Sequence, residues 1–397
     1  VNDAVPNEDA PGDPARPLRV GLDVTPLLGA RTGIGVFTAE LVERLARRSD
    51  VEVVAWATTW RGRADLDSAL PAGVRSITRP LPARPARAAW KRVNHPRIER
   101  WTGPLDVVHS PNYVVPPARA PMVTSVHDLT FLHHPEMCTA DTLAYPSLLR
   151  RAARRGAWFH VDADAIADEV VELLRVPRER VFTVPLAPSP VADADPAVGR
   201  SLAGGSDYVL ALGTVEPRKD LPSLVEAFDL LADHHPELRL VIAGPDGWGA
   251  AALDEALARS ARRDHITRLG WVADDERAAL LRGATALAYP SRYEGFGLPP
   301  LEAMSVGVPV VATSVGALPE TCGDAALLVP PGDSRQLAEA IDRLVADGAL
   351  RTTLIERGRR RVAAFDWDLT TDALVAQYGR IATYTAPAPE RRQGHGR

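Results

Sequence analysis

The chain has 397 residues, 46% of them hydrophobic and 24% charged, with a formal net charge of −5. That length predicts two or three domains, and the acidic balance excludes a general nucleic-acid binder. No run approaches the roughly 18 apolar residues of a membrane span. Two cysteines, Cys138 and Cys322, exclude a disulfide framework and fit a reducing cytoplasm.

Residues 1–17 are acidic and Pro-rich and read as a disordered tail, without the basic and apolar regions of a signal peptide. Leu18 to Val24 predicts the first strand. Val36 to Arg48 predicts a helix with Val36, Phe37, Leu41, Val42 and Leu45 on one face. Between them Gly29-Ala30-Arg31-Thr32-Gly33-Ile34-Gly35 forms a Rossmann-like Gly-rich turn, where glycine lets the backbone approach a ligand. Thr38 stands where the third glycine of GxGxxG belongs, and no acidic residue closes the next strand, Val51 to Ala57, so a dinucleotide site is not favoured. Further apolar strands at Val74 to Thr78, Leu105 to His109, Met122 to Val126, Ala157 to Val161 and Val181 to Leu186 alternate with helices and predict a parallel sheet.

Residues 79–101 carry seven Lys/Arg and one Glu, with Trp90 and Trp101 interleaved. They read either as a solvated surface segment or, with Arg150, Arg151, Arg154 and Arg155, as a patch that meets an anionic membrane surface. Val126-His127-Asp128-Leu129 closes a strand, where ligand sites of such sheets lie. A buried, satisfied histidine is the plainer alternative. His133, His134 and Cys138 match no zinc spacing. Asp162 is expected to cap the helix that follows its strand.

Residues 187–206, rich in Pro, Ala, Gly and Asp, read as a linker. A second α/β unit follows. Strand Tyr208 to Gly213 leads into Thr214-Val215-Glu216-Pro217-Arg218-Lys219, which sets two cations at a strand's carboxyl end, ahead of a helix from Leu221 to Ala232. Leu238 to Gly244, Ile266 to Gly270 and Ala284 to Tyr289 predict strands, and 333–347 and 348–364 helices. The central stretch is 292–320. Glu294-Gly295-Phe296-Gly297 precedes a short helix with Pro299 in its first turn and Leu301, Met304 and Val308 on one face; Gly307 ends it, and Val308 to Thr313 is a buried strand. The free N–H groups at such a helix start suit phosphate. Glu294 and Glu302, one on each side, suit hydroxyl pairs. A diphosphate with a diol at both ends fits this pattern.

E-G-F-G-L-P-x-x-E-A-M from Glu294, with G-T-x-E-P-R-K from Gly213 and the His127-Asp128 pair, resembles the retaining GT-B glycosyltransferases of glycosyltransferase family 4, nearest the mannosyl- and rhamnosyltransferase-like branch of polysaccharide biosynthesis. The resemblance covers about residues 18–384. It implies an α/β fold of two Rossmann-like domains facing across a cleft: an acceptor-side domain over 18–186, a nucleotide-sugar domain over 207–366, a helix over 367–384 crossing back to the first domain, and a disordered tail over 385–397. It implies transfer of a hexosyl unit from a nucleotide-diphosphate sugar to a glycan or lipid-linked glycan, with no cofactor, no metal and no nucleic-acid partner, in a cytoplasmic protein that meets the inner face of the membrane peripherally.

By the same resemblance, Arg218 and Lys219 stabilise the leaving diphosphate, Glu294 binds sugar hydroxyls and His127 approaches the reacting side of the sugar. Glu302 takes the ribose diol. Gly33, Gly35, Asp128, Gly213, Thr214, Val272 (at the base), Gly295, Phe296, Gly297 and Leu298 complete the substrate site. Asp162 departs from the family's usual serine. Asp162-Ala163-Asp164 and Asp193-Ala194-Asp195 match the D-x-D of metal-dependent transferases, but one opens a helix and the other lies in the linker. A nucleotide-sugar epimerase of the same shape and a non-catalytic binding subunit are the alternative readings.

Overall fold

The computed structural model describes residues 16–28, 33–59, 63–80, 89–90, 92–231 and 233–384. The expected tails beyond these limits, residues 29–32 of the Gly-rich turn, and 81–88 and 91 of the basic segment, including Arg87 and Lys91, lie outside the described residues.

The apolar runs of the first half form β1 (Leu18–Asp23), β2 (Val51–Thr59), β3 (Arg75–Pro80), β4 (Val107–Ser110), β5 (Met122–Val126), β6 (Trp158–Val161) and β7 (Val181–Thr183). They pair in parallel, in the order β3-β2-β1-β4-β5-β6-β7. The second half supplies β8 (Tyr208–Leu212), β9 (Arg239–Ala243), β10 (Ile266–Gly270), β11 (Ala286–Tyr289), β12 (Val310–Thr313) and β13 (Ala326–Val329). These are also parallel, in the order β10-β9-β8-β11-β12-β13. Strands β4, β5, β6, β8 and β11 are buried at every residue, as sheets covered on both faces require. The strand order reverses between β1 and β4 and again between β8 and β11. In such sheets ligands gather outside the carboxyl ends at these switch points.

Helix Trp367–Ala382 returns to the first sheet, packing on helix Gly33–Ala46 and β4. Trp367, Leu374, Tyr378 and Ile381 are buried in the same apolar cluster as Val20, Phe37 and Val108. The Tyr378 hydroxyl lies 2.6 Å from His109 Nδ1, and Trp367 stacks on Phe37.

Several sequence-based expectations change. The first helix starts at Gly33 rather than Val36, so Gly33 and Gly35 sit in its first turn and not in a loop. Arg16, expected in a tail, pairs with Asp106 at 2.6 Å. The linker contains helix Pro196–Leu202, capped by Asp195 and packed on helix Asp274–Gly283. A Cβ at Gly199 would lie 2.1 Å from the Ala279 carbonyl, so glycine there permits the close approach. Trp90 is 4% exposed and cannot anchor in a lipid interface, and Trp101 is partly buried against the core. Asp162 caps no helix. Ala163 is the N-cap of helix Asp164–Leu174, whose first N–H groups, from Asp164 and Ala165, donate to Glu320 of the second half at 3.0 Å each.

Candidate active site

The second sheet builds one wall from loops at its switch point. Beyond β8, Gly213 holds φ 134°, and Gly244 packs so tightly that a Cβ there would lie 2.0 Å from the Gly213 carbonyl. The loop then turns at Pro217–Lys219 and delivers Arg218 and Lys219 to the end of β11. There one carboxylate takes both cations. Glu294 Oε2 lies 2.7 Å from an Arg218 guanidinium nitrogen, and Oε1 accepts from Lys219 Nζ at 2.6 Å and from Ser291 Oγ at 2.7 Å. Lys219 also bonds the Tyr289 hydroxyl and lies 4.3 Å from that ring's centroid. Burial acts to raise the Glu294 carboxyl, but Arg218 and Lys219 outweigh it and hold it at about 2. Glu216 Oε2 lies 3.5 Å from the Arg218 guanidinium as well, so the two cations meet two carboxylates here.

This charge cluster lies beside the start of helix Leu298–Ser305. Gly297, at φ 107°, is its N-cap and supplies no side chain, and proline opens the first turn. The N–H groups there are aligned for an anion. Glu302, 6% exposed, pairs with Arg277 of helix Asp274–Gly283. Burial raises its carboxyl and Arg277 offsets part of that rise. The two glutamates of the motif therefore have opposite electrostatic settings.

The opposite wall comes from the strand ends of the first sheet. His127 follows β5. Its Nδ1 lies 2.7 Å from Asp162 Oδ2, just past β6, and its Nε2 lies 2.9 Å from the Pro111 carbonyl, just past β4. Burial would lower the imidazole's pKa, but the Asp162 charge and hydrogen bond raise it overall. The ring meets Phe37 and Tyr113 edge-on, at 5.4 and 6.2 Å between centroids. Asp128 forms a tight turn, its Oδ1 accepting the Thr130 N–H at 3.0 Å and its own N–H donating to the Tyr113 hydroxyl at 3.1 Å.

The walls meet at Gly295. A Cβ there would lie 1.6 Å from the His127 carbonyl oxygen, so only glycine allows this contact. Trp248 Nε1 donates to the Met137 carbonyl at 2.9 Å, and the Leu129 N–H to the Tyr293 hydroxyl at 3.3 Å, both across the gap. Between the walls lies a cleft of about 410 Å³.

Of the expected site residues, Gly33, His127, Asp128, Arg218, Glu294, Gly295, Phe296, Gly297 and Leu298 line this cleft. Lys219 lies behind Glu294, and Glu302 lies along the helix with Arg277. Gly35 is buried within its helix, and Val272 is half-buried against core residues. Gly213 and Thr214 line the loop packed under Gly244 and Gly247. The D-x-D pairs do other work. Asp162 binds His127, Asp164 accepts from Thr183 Oγ1 at 2.5 Å, Asp195 caps a helix and Asp193 is fully exposed. Sequence reasoning missed Asp162 as a partner of His127, Arg277 as the partner of Glu302, and Trp248 and Tyr293 as cross-cleft contacts. Ser291 and Tyr289 could have been found from their closeness to Glu294 in the chain.

Residues 199–361 match the family described as Glycosyl transferases group 1, and residues 31–187 match Glycosyltransferase Family 4. The chain is 30% identical over 381 residues to O-antigen chain mannosyltransferase B of Escherichia coli, covering 91% of this chain and 99% of that protein. It is 27% identical over 390 residues to the phosphatidyl-myo-inositol mannosyltransferase of Mycobacterium leprae, covering 92% and 98%. Among solved structures it is similar to sucrose-phosphate synthase of Thermosynechococcus elongatus, with TM-score 0.74 and 20% identity over 92% of this chain and 99% of that one. It is also similar to Anabaena HepE in complex with UDP-glucose, with TM-score 0.71 and 17% identity over 91% and 100%. With two Rossmann-like sheets facing across a cleft and matches to both halves, the chain belongs to glycosyltransferase family 4 and is a glycosyltransferase of the GT-B fold.

Proposed function

We propose that this glycosyltransferase moves a hexosyl unit, mannosyl or a close relative, from a nucleotide-diphosphate sugar to a glycan acceptor, with retention at the anomeric carbon. The observation that carries this reading is the Glu294–Arg218–Lys219 cluster at the start of helix Leu298–Ser305. A departing nucleoside diphosphate gathers negative charge, and fixed cations with aligned N–H groups stabilise it without reorganising. Arg218 and Lys219 take that charge. Glu294 holds them in place and offers its remaining lone pairs to sugar hydroxyls. Glu302 receives the ribose diol, and Val272 lies near the base. The N–H groups of Gly295 to Leu298 support sugar and phosphate, while Gly33 and Gly35 bring the first helix to the cleft. No metal enters this scheme. Among the described residues no side chain stands out as a separate nucleophile, and in this scheme the departing phosphate takes the acceptor's proton on the same face.

The mannosyl preference draws support from the names of the two mannosyltransferases above. A nucleotide-diphosphate donor draws support from the UDP-glucose bound to the HepE relative. The acceptor is a glycan, free or lipid-linked. No helix among the described residues is long and apolar enough to cross a membrane. For a lipid-linked acceptor, the arginines of helix Tyr145–Arg154 and its end, Arg150, Arg151, Arg154 and Arg155, supply peripheral contact.

The test is incubation of the chain with GDP-mannose and UDP-glucose, with and without acceptor glycans, following nucleoside diphosphate release and the anomeric configuration of the product. Inverted product would overturn the retaining assignment. Turnover of the sugar nucleotide to an isomer without acceptor would replace it with the epimerase reading.

A further inference from the structure

The Asp162–His127 pair has an electrostatic consequence that the transfer scheme does not use. Each nitrogen of the His127 ring faces an oxygen that only accepts: the carboxylate of Asp162 on Nδ1 and the amide carbonyl of Pro111 on Nε2. A neutral imidazole has one N–H and would leave one of these contacts as two facing lone pairs. Both contacts are satisfied together only by the imidazolium. Asp162 is 1% exposed and 11% of the His127 side chain meets solvent, so most of the ring's polar contact is with these two oxygens. Glycine at 295 brings the opposite wall onto the His127 carbonyl and completes the enclosure.

The groups packed around the ring leave Asp162 as the one that sets its charge. Asp128 adds a weaker attraction from the same loop. His109 and His160 lie behind it, each across a face or edge of Phe37. These two are linked in a buried chain in which each bond has one consistent direction. His160 Nε2–H donates to the Val184 carbonyl at 2.9 Å, so its Nδ1 accepts from Ser125 Oγ at 2.8 Å. Ser125 Oγ accepts from His109 Nε2–H at 2.8 Å, and His109 Nδ1 accepts from the Tyr378 hydroxyl at 2.6 Å. That order keeps both histidines neutral, and burial lowers the pKa of each. Tyr113 presents its ring edge-on and keeps its hydroxyl on the Asp128 N–H. Arg218 and Glu294, on the facing wall, are paired with each other.

We propose that Asp162 is a positioning residue for glycosyl transfer: it locks His127 as a fixed imidazolium on the acceptor-side wall, so that this ring serves as a standing charge and not as a proton shuttle. The inference rests on the placement of His127 in the donor cleft. A cation held there faces the side on which the sugar–phosphate bond breaks, and Asp162 keeps it charged at pH values where an ordinary histidine is neutral. Serine or asparagine at 162 removes that charge and leaves burial to lower the ring's pKa, so the ring gives up its proton at a lower pH than in the wild type.

The experiment pairs a spectroscopic readout with a pH–rate profile on the full chain, using wild type, Asp162→Asn and Asp162→Ser, with His127→Gln to assign the resonance. In ¹⁵N–¹H correlation spectra of the imidazoles, His127 of the wild type should show both nitrogens protonated at pH 7.5. In both variants one nitrogen should lack its proton at that pH. Nucleoside diphosphate release from GDP-mannose should change little for the wild type between pH 6 and 8. For the variants it should fall about tenfold or more over that span, as the charged fraction of an imidazole whose pKa is no longer raised does. A neutral His127 in the wild type at pH 7.5 would overturn the proposal, as would variant profiles parallel to the wild type. The spectra read the pair without substrate, so absence of any turnover in wild type would count against the donor reading alone.

Discussion

The two walls of the cleft reach the same point by different routes. The wall from the second sheet is built from short range in sequence: Ser291, Glu294 and Gly295 to Leu298 lie within eight residues, and one loop supplies Arg218 and Lys219. The wall from the first sheet is built from strand ends. Pro111, His127 and Asp162 follow β4, β5 and β6 and meet only because those strands are neighbours. The first kind of wall is a motif and the second a consequence of topology. They also differ electrically. One gathers two cations on Glu294, with Glu216 as a further partner of Arg218, and the other sets a single imidazole against a single carboxylate.

Closing the gap between the walls should matter most. Gly295→Ala puts a methyl into the His127 carbonyl, so the walls must separate; nucleoside diphosphate release should become undetectable while each half stays folded by circular dichroism. Wild-type rates in that variant would mean the walls need not touch. Next come the charges of the motif. Lys219→Ala and Glu294→Gln should each lower turnover at least about 100-fold, as loss of a charged transition-state partner does. Glu294→Gln also leaves Arg218 and Lys219 without their buried partner. It should cost about 3–5 kcal/mol of stability, read as a lowered unfolding midpoint in urea.

A smaller effect separates the two glutamates by the sign of their pH dependence. The Glu294 carboxyl falls from 4.5 to about 2 on folding, so its stabilisation is complete above pH 4.5 and is lost as the pH drops toward 2. The Glu302 carboxyl is raised above 4.5, so its contribution is complete below that pH and is lost as the pH climbs through the folded value. Stability differences between wild type and Glu294→Gln should therefore grow from pH 2 to pH 5, while those for Glu302→Gln should shrink over the interval above pH 4.5. Matching slopes would mean both carboxylates are set alike. The smallest expected change is none: EDTA should leave turnover unaltered, because the cations of the motif already occupy the role a metal would play. Activity lost to EDTA and restored by Mg²⁺ would remove that equivalence.

How much of this was legible follows from the same contrast. The alternating apolar runs predicted two parallel sheets, because strands buried on both faces read as continuous hydrophobic stretches. The Glu294 motif was legible because its partners are neighbours in the chain. His127 was legible as a strand-end histidine, yet its partner was not. Asp162 lies 35 positions away, and before a helix an aspartate reads as a cap. Glu320 takes that capping role from the other half of the molecule, and no local signal announces it. Arg277 was hidden in the same way, since on its own helix it is one more charged residue. The linker misled for a compositional reason. Its Pro, Gly and Asp suggested irregular chain, whereas Asp195 and Pro196 start a helix and Gly199 lets it pack closely on its neighbour. Trp90 misled because tryptophan among arginines looks interfacial, and here the ring is inside.

The returning helix Trp367–Ala382 has a consequence for synthesis. Trp367, Leu374, Tyr378 and Ile381 fill the core of the first half, and Tyr378 supplies the proton for His109 inside that core. The first half leaves the ribosome early but lacks these side chains until the whole second half has been made. At about 5–20 residues per second, the nearly 200 intervening residues represent a wait of about 10–40 s. During that wait β4 and helix Gly33–Ala46 expose an apolar face and His109 Nδ1 lacks its partner. The half that translation finishes first is thus the half whose core closes last, and it is the one exposed to premature association with other nascent chains or in need of a chaperone.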